Sequence, residues 1–140
     1  MVIDTSAIFA AIVDESDSAV YRTAIKTAPI RLISTATLFE SRIVLFSRIG
    51  PDAVVALDEL MKRGEITEVP FDRPQCDMAF DAFKRYGKGQ GHPAQLNIVD
   101  CMTYALARSR DLPLLFKGND FSHTDVTPAL VTGAADQRPT

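Results

Sequence analysis

Strands alternating with helices across the 140 residues predict an α/β domain: a mainly parallel sheet flanked by helices, three layers in all. Three observations carry that prediction. Val2 to Asp4 is a minimal apolar strand ending on a carboxylate. Short apolar runs recur at Arg31–Ser34, Ile66–Val69 and Pro113–Phe116, each separated from the last by helical periodicity. From Ile98 to Ala107 one charged residue, Asp100, stands in a stretch apolar nearly all round, as in a helix laid against a sheet. Right-handed crossovers then connect the parallel strands.

The elements follow in order. After the first strand, Ser6 to Val13 reads as a short apolar helix. Ser16 and Asp17 can cap a second helix through Lys26, which Pro29 stops. Thr35 or Thr37 starts a long helix ending near Gly50. Pro51 suits the first turn of the next, and Gly64 its C-terminus. A helix over Arg73–Tyr86 follows the breaks at Pro70 and Pro74. Gly87 to Pro93 is a glycine-rich loop, and a last helix spans about Asn97 to Arg108. The expected boundaries are a folded unit over residues 1–131 and a small, polar, disordered tail over 132–140.

Composition excludes several classes. With 46% hydrophobic and 24% charged residues the chain is an ordinary globular one, and a net charge of -3 does not advertise a nucleic-acid binder. No apolar run is long enough to span a bilayer, and a strand beginning at Val2 leaves no room for a signal peptide. Cys76 and Cys101 lie far apart in helical patterns, so buried free thiols and a reducing, cytoplasmic setting are expected.

The chemistry lies in four acids. Asp4 ends the first strand, where open α/β sheets gather ligands; it could equally cap the helix that follows, with Thr5 and Ser6. Glu40 sits mid-helix on a face with Ala36 and Ile43, or at the exposed rim. Asp100 is too deeply embedded to stay ionised alone, so it must be protonated, paired or metal-bound; its first-turn position also suits the helix dipole. Asn97, three residues earlier, can hydrogen-bond it or a metal-bound water. Asp120 lies in the turn after the last strand, with Asn119 beside it and Asp125 as a competitor near another short strand. Four oxygen ligands without His or Cys select Mg²⁺ or Mn²⁺, which suits phosphodiester hydrolysis. His92 and His123 lack partners at ligand spacing and are expected at the surface. Lys84, Arg85, Lys88 and Lys117 could contact phosphates flanking a scissile bond.

Four stretches now align in order. They are Met1–Ala7, Ser34–Glu40, Leu96–Ala107 around Asp100, and Pro113–Phe121 around Asp120. Together they resemble the PIN-domain ribonucleases, specifically VapC-type toxins of bacterial toxin–antitoxin pairs. The resemblance implies metal ligation centred on Asp4 and Asp100, with Glu40 and Asp120 completing the pocket; Ser6, Asn97 and Asn119 are candidates for supporting residues beside them. It also implies endonucleolytic RNA cleavage leaving a 3′-hydroxyl, a homodimer, and neutralisation by a VapB-type antitoxin. Apolar surplus on the helix of Ala7–Val13 and on that of Val54, Val55, Leu57, Leu60 and Met61 is expected to form the partner groove. Two rivals remain. A phosphatase of the haloacid-dehalogenase type needs an Asp where Ser6 stands. A non-enzymatic phospho-acceptor signalling domain usually pairs acids after its first strand, where Thr5 follows Asp4.

Overall fold

A computed structural model describes residues 1–130; the tail expected over 132–140 lies outside them. Four short strands, β1 (Val2–Ile3), β2 (Leu32–Ser34), β3 (Thr67–Val69) and β4 (Leu114–Leu115), form one parallel sheet in the order β3-β2-β1-β4. Val2 pairs with Leu32 on one side and Leu114 on the other, and Ser34 with Val69. The helices are α1 (Thr5–Ile12), α2 (Ser18–Thr27), α3 (Thr35–Arg48), α4 (Pro51–Arg63), α5 (Arg73–Tyr86) and α6 (Ile98–Arg110).

Strand periodicity divides the core in two. Ile3, Ile33 and Leu115 point to the side covered by α1 to α4, where they meet Ile8, Tyr21, Ile25, Leu45 and Leu57. Val2 and Leu114 point the other way, towards α5 and α6, against Ala82, Leu96, Tyr104 and Leu106. Alternate residues of each strand therefore serve opposite helical layers, which makes the protein a three-layer α/β structure. The chain builds outward from β1 to β2 and β3, then returns to β1's other edge with β4. That reversal opens a crevice at the carboxyl ends of β1 and β4, the usual ligand position in such sheets.

Three expectations need correcting. Asp17 precedes α2 without a side-chain capping bond; its carboxylate is drawn instead to Lys117, and Ser18 Oγ accepts the Glu15 amide. Near Asp125 no strand forms; a single parallel bridge joins Leu114 to Pro128 further on. Cys76 is exposed rather than buried because it points off the outer face of α5, whereas Cys101 is buried under it.

Candidate active site

Asp4, Glu40, Asp100 and Asp120 line one open cavity of about 400 Å³ at that crevice, together with Ser6 and Asn97. Different elements bring them there. Asp4 leaves β1 as the N-cap of α1, its Oδ2 accepting the Ser6 amide at 3.0 Å and the Ser6 hydroxyl at 2.6 Å. Ser6 Oγ also accepts the Lys117 amide at 2.9 Å, which ties α1 to the turn after β4. Capping and pocket-lining are thus one arrangement: the first turn of α1 takes Oδ2, and Oδ1 is left buried with no hydrogen-bond partner.

Asp100 is set by the start of α6. Asn97 Oδ1 accepts the Asp100 amide at 2.8 Å, and Asp100 Oδ2 accepts the Asn97 amide at 3.0 Å, a reciprocal capping box. Glu40 is half-buried and receives a 2.6 Å hydrogen bond from the Thr5 hydroxyl. Beneath these acids runs a layer of buried hydroxyls. Ser41 donates to the Thr37 carbonyl at 2.7 Å, and Thr37 and Thr103 share a 2.6 Å hydrogen bond that joins α3 to α6. Gly118, at φ +103°, turns the chain after Lys117 so that Asp120 reaches the wall.

Burial dominates the electrostatics. It pushes the Asp4 carboxyl above its ordinary range against the opposing effect of the Ser6 hydrogen bonds, and nearby Glu40 adds to the rise. Asp100 is pushed up to about 7, first by burial and then by the charges of Asp4, Glu40 and Asp120; the Asn97 amide opposes this. Carboxylates packed this way lack countercharge.

The oxygen donors fit a hard cation. Among the described residues no three or more His, Cys, Asp or Glu side chains are grouped closely enough to hold a metal ion by themselves. Mg²⁺ does not need such a group, since it is commonly held by one or two carboxylates, retained waters and substrate phosphate. The orphaned Oδ1 of Asp4 beside Asp100 meets that requirement.

Other candidates lie elsewhere. Asn119 is outside the wall and its carbonyl accepts the Ser122 hydroxyl. Asp125 belongs to the far side of α6, where the Tyr104 hydroxyl donates to it at 2.5 Å and Arg85 and Arg108 stand at 3.6 and 4.0 Å. His92 is half-buried against Tyr86, and His123 is exposed; neither lines the cavity. Of the four basic residues expected near phosphate, only Lys117 reaches the wall, paired with Glu15 at 2.8 Å and Asp17 at 2.9 Å. Sequence reasoning missed Phe9, Val44 and Arg48, which line the wall together with Glu15 and Phe121. The spacing Glu40, Val44, Arg48 is a helical signal for one face, but Ile43 drew attention to the neighbouring face, which is exposed.

An acid-lined crevice at the switch point of a small parallel sheet defines the class of these molecules, and comparison with known proteins names it. Residues 1–126 match the PIN domain. The chain is 47% identical to ribonuclease VapC28 of Mycobacterium tuberculosis over 130 residues, covering 93% of this chain and 98% of that protein. It is 45% identical to ribonuclease VapC of Mycolicibacterium smegmatis over 126 residues, covering 90% and 97%. The fold is shared with Mycobacterium tuberculosis VapC20, described as a toxin cleaving the sarcin–ricin loop, at a TM-score of 0.74 and 17% identity over 90% of this chain and 95% of that one. It is also shared with a toxin–antitoxin complex from Klebsiella pneumoniae, at a TM-score of 0.67 and 15% identity over 94% and 95%. The chain belongs to the PIN-domain family, among its VapC ribonucleases.

Proposed function

We propose that this protein is a Mg²⁺-dependent endoribonuclease toxin whose catalytic residues are Asp4, Glu40, Asp100 and Asp120. The observation that carries the proposal is the partnerless Asp4 Oδ1 in the same cavity as Asp100. Asp4 and Asp100 would hold the cation, with Mn²⁺ able to substitute. When bound, it supplies an activated water and neutralises charge on the phosphate and the leaving oxygen. The chain's own residues prepare that geometry. Ser6 holds Asp4 Oδ2 and leaves Oδ1 without a partner, Thr5 orients Glu40, and Asn97 fixes Asp100 by one oxygen. Asp120, on its turn, is free to orient water or the departing strand. Ser6 at the second position after Asp4 leaves no acid for a phosphatase. Lys117, held by Glu15 and Asp17, is not poised over the acids as a phospho-acceptor mechanism would use it.

Regulation by a VapB-type antitoxin and assembly as a homodimer belong to the same reading. Apolar surplus supports both, though of the residues named from the sequence only Val55 belongs to it. Ala7, Ile8, Ala10, Ala11 and Leu57 are core, because α1 and α4 bury their stripes against the sheet and each other. Among the exposed hydrophobic residues are Phe39, Ile43 and Phe46 on α3 with Val55 on α4, a stripe suited to an amphipathic antitoxin segment, and Met78, Phe80 and Ile98 on the α5–α6 side, suited to a second copy. An antitoxin Arg reaching the cavity would pair with the acids and exclude both cation and RNA. Among the described residues no helix is long and apolar enough to cross a membrane. With both cysteines free, we place the protein in the cytoplasm.

The test is cleavage of single-stranded RNA by purified protein with Mg²⁺ or Mn²⁺, with mapping of the new ends. Cutting that EDTA stops, leaving 3′-hydroxyls, is the expected result. Cutting that survives exhaustive chelation overturns the metal-dependent mechanism.

A further inference from the structure

The cavity wall has an acidic half and another half of different character. On the α1–α3 side it is formed by Phe9, Val44 and Arg48. Glu40, Val44 and Arg48 follow one another at successive turns of α3, so Arg48 stands about 12 Å along the axis from the acid. Its guanidinium lies over the Phe9 ring, 5.5 Å from the centroid. Among the described residues it enters no ion pair, whereas the other cation of the wall, Lys117, is neutralised by two carboxylates. Arg48 is therefore the uncommitted cation at the mouth of an acidic cavity, and it covers a half-buried aromatic face.

The geometry points to a nucleotide subsite at Phe9, Val44 and Arg48 that holds single-stranded RNA beside the scissile phosphate. The inference rests on the ribonuclease reading. RNA phosphates are repelled by the four acids, so a strand entering the cavity needs an anchor displaced from them. Arg48 supplies it, with donors in a planar fork suited to phosphate oxygens. When the guanidinium swings from the ring to a flanking phosphate, the Phe9 face becomes free for the adjoining base to stack, with Val44 as the apolar floor. Stacking of this kind tolerates any base and requires an unpaired one, so the subsite selects single strands or loops. Arg48 also lies in the last turn of α3, where a cation complements the helix dipole. Loss of that purely structural role lowers thermal stability without touching RNA.

The experiment compares wild type with Arg48→Ala, Arg48→Lys and Phe9→Leu, using a fluorescein-labelled single-stranded decaribonucleotide. Steady-state cleavage with Mn²⁺ gives KM and kcat. Anisotropy titration on an Asp100→Asn background gives binding as a function of salt, and thermal melting monitors the fold. Arg48→Ala is expected to raise KM about tenfold, with the loss in KM rather than kcat. One lost phosphate contact also makes the plot of log affinity against log salt shallower by about 0.7. Arg48→Lys restores that slope. Phe9→Leu weakens binding several-fold with the slope intact. An unchanged KM and salt slope in Arg48→Ala, with wild type cleaving normally, overturns the subsite alone. Failure of wild type to bind or cleave RNA overturns the ribonuclease reading beneath it.

Discussion

Asp100 and Asp125 lie on opposite faces of the same stretch of structure, and their surroundings treat them in opposite ways. Asp125 has a donor hydroxyl from Tyr104 and two guanidinium groups, and these hold its carboxyl below the ordinary range despite some desolvation. Asp100 is buried beside three other acids and is pushed up to about 7. The first carboxylate is satisfied by the fold. The second is left wanting a positive charge that the described residues do not supply. The fold pairs Asp125 with cations and withholds countercharge from Asp4 and Asp100, and that contrast supports the proposed metal site at the latter pair.

The largest expected effect breaks that contrast directly. Asp100→Asn removes the charge of a proposed metal ligand without removing volume. It should lower RNA cleavage by at least about a thousandfold, as loss of several kcal/mol of charge stabilisation requires. Asp125→Asn should cleave RNA at close to the wild-type rate. Assays of both variants at one Mn²⁺ concentration check this pair.

Next in size is the group that aims the pocket. Ser6→Ala deletes the 2.6 Å donor to Asp4 and the acceptor of the Lys117 amide. A lost supporting contact of this kind typically costs about 10- to 100-fold in metal affinity, and Mn²⁺ titration of the variant reads it.

Below the pocket, Thr103→Val orphans a buried hydroxyl on Thr37. The expected destabilisation is about 1–3 kcal/mol. Thr37→Val with Thr103→Val should recover part of it, and a double-mutant cycle by denaturant unfolding measures the coupling.

The smallest effects appear in the pH dependence of stability, where the two acids have opposite signs. Asp125 has a lowered folded pKa, so its contribution is present above the unfolded value of about 4 and is lost as pH falls through the folded one. Asp125→Asn should therefore cost about 1 kcal/mol near neutrality, modest because the site is partly exposed, and nothing at low pH. Asp100 has a raised folded pKa. The metal-free protein binds the extra proton when folded, so this group lowers stability as pH rises from about 4 to about 7. Asp100→Asn should remove that decline, as thermal melts in EDTA across this range can show.

The same contrast explains what was legible in the sequence. Element boundaries were readable wherever a backbone rule applied: Pro51 and Gly64 bracket α4, Asn97 caps α6, and apolar pairs mark β1 and β4. The gathering of four acids was readable because three of them sit at element termini that parallel topology carries to one edge. What tertiary packing decides was not readable. The apolar length of α1 suggested a free face, yet α1 is enclosed by the sheet and neighbouring helices. The exposed hydrophobes of α3 were not singled out, because their periodicity does not say which side meets the sheet. Asp125 looked like Asp120 until Tyr104 and Arg85, distant in sequence, came beside it.

Calorimetric titration of Mn²⁺ into chelator-stripped protein, without RNA, tests the central claim most directly. Wild type and Asp125→Asn should bind alike, and Asp4→Asn and Asp100→Asn should lose most of the binding. Equal binding by wild type and Asp100→Asn would contradict the assignment of the unsatisfied acids as the metal centre.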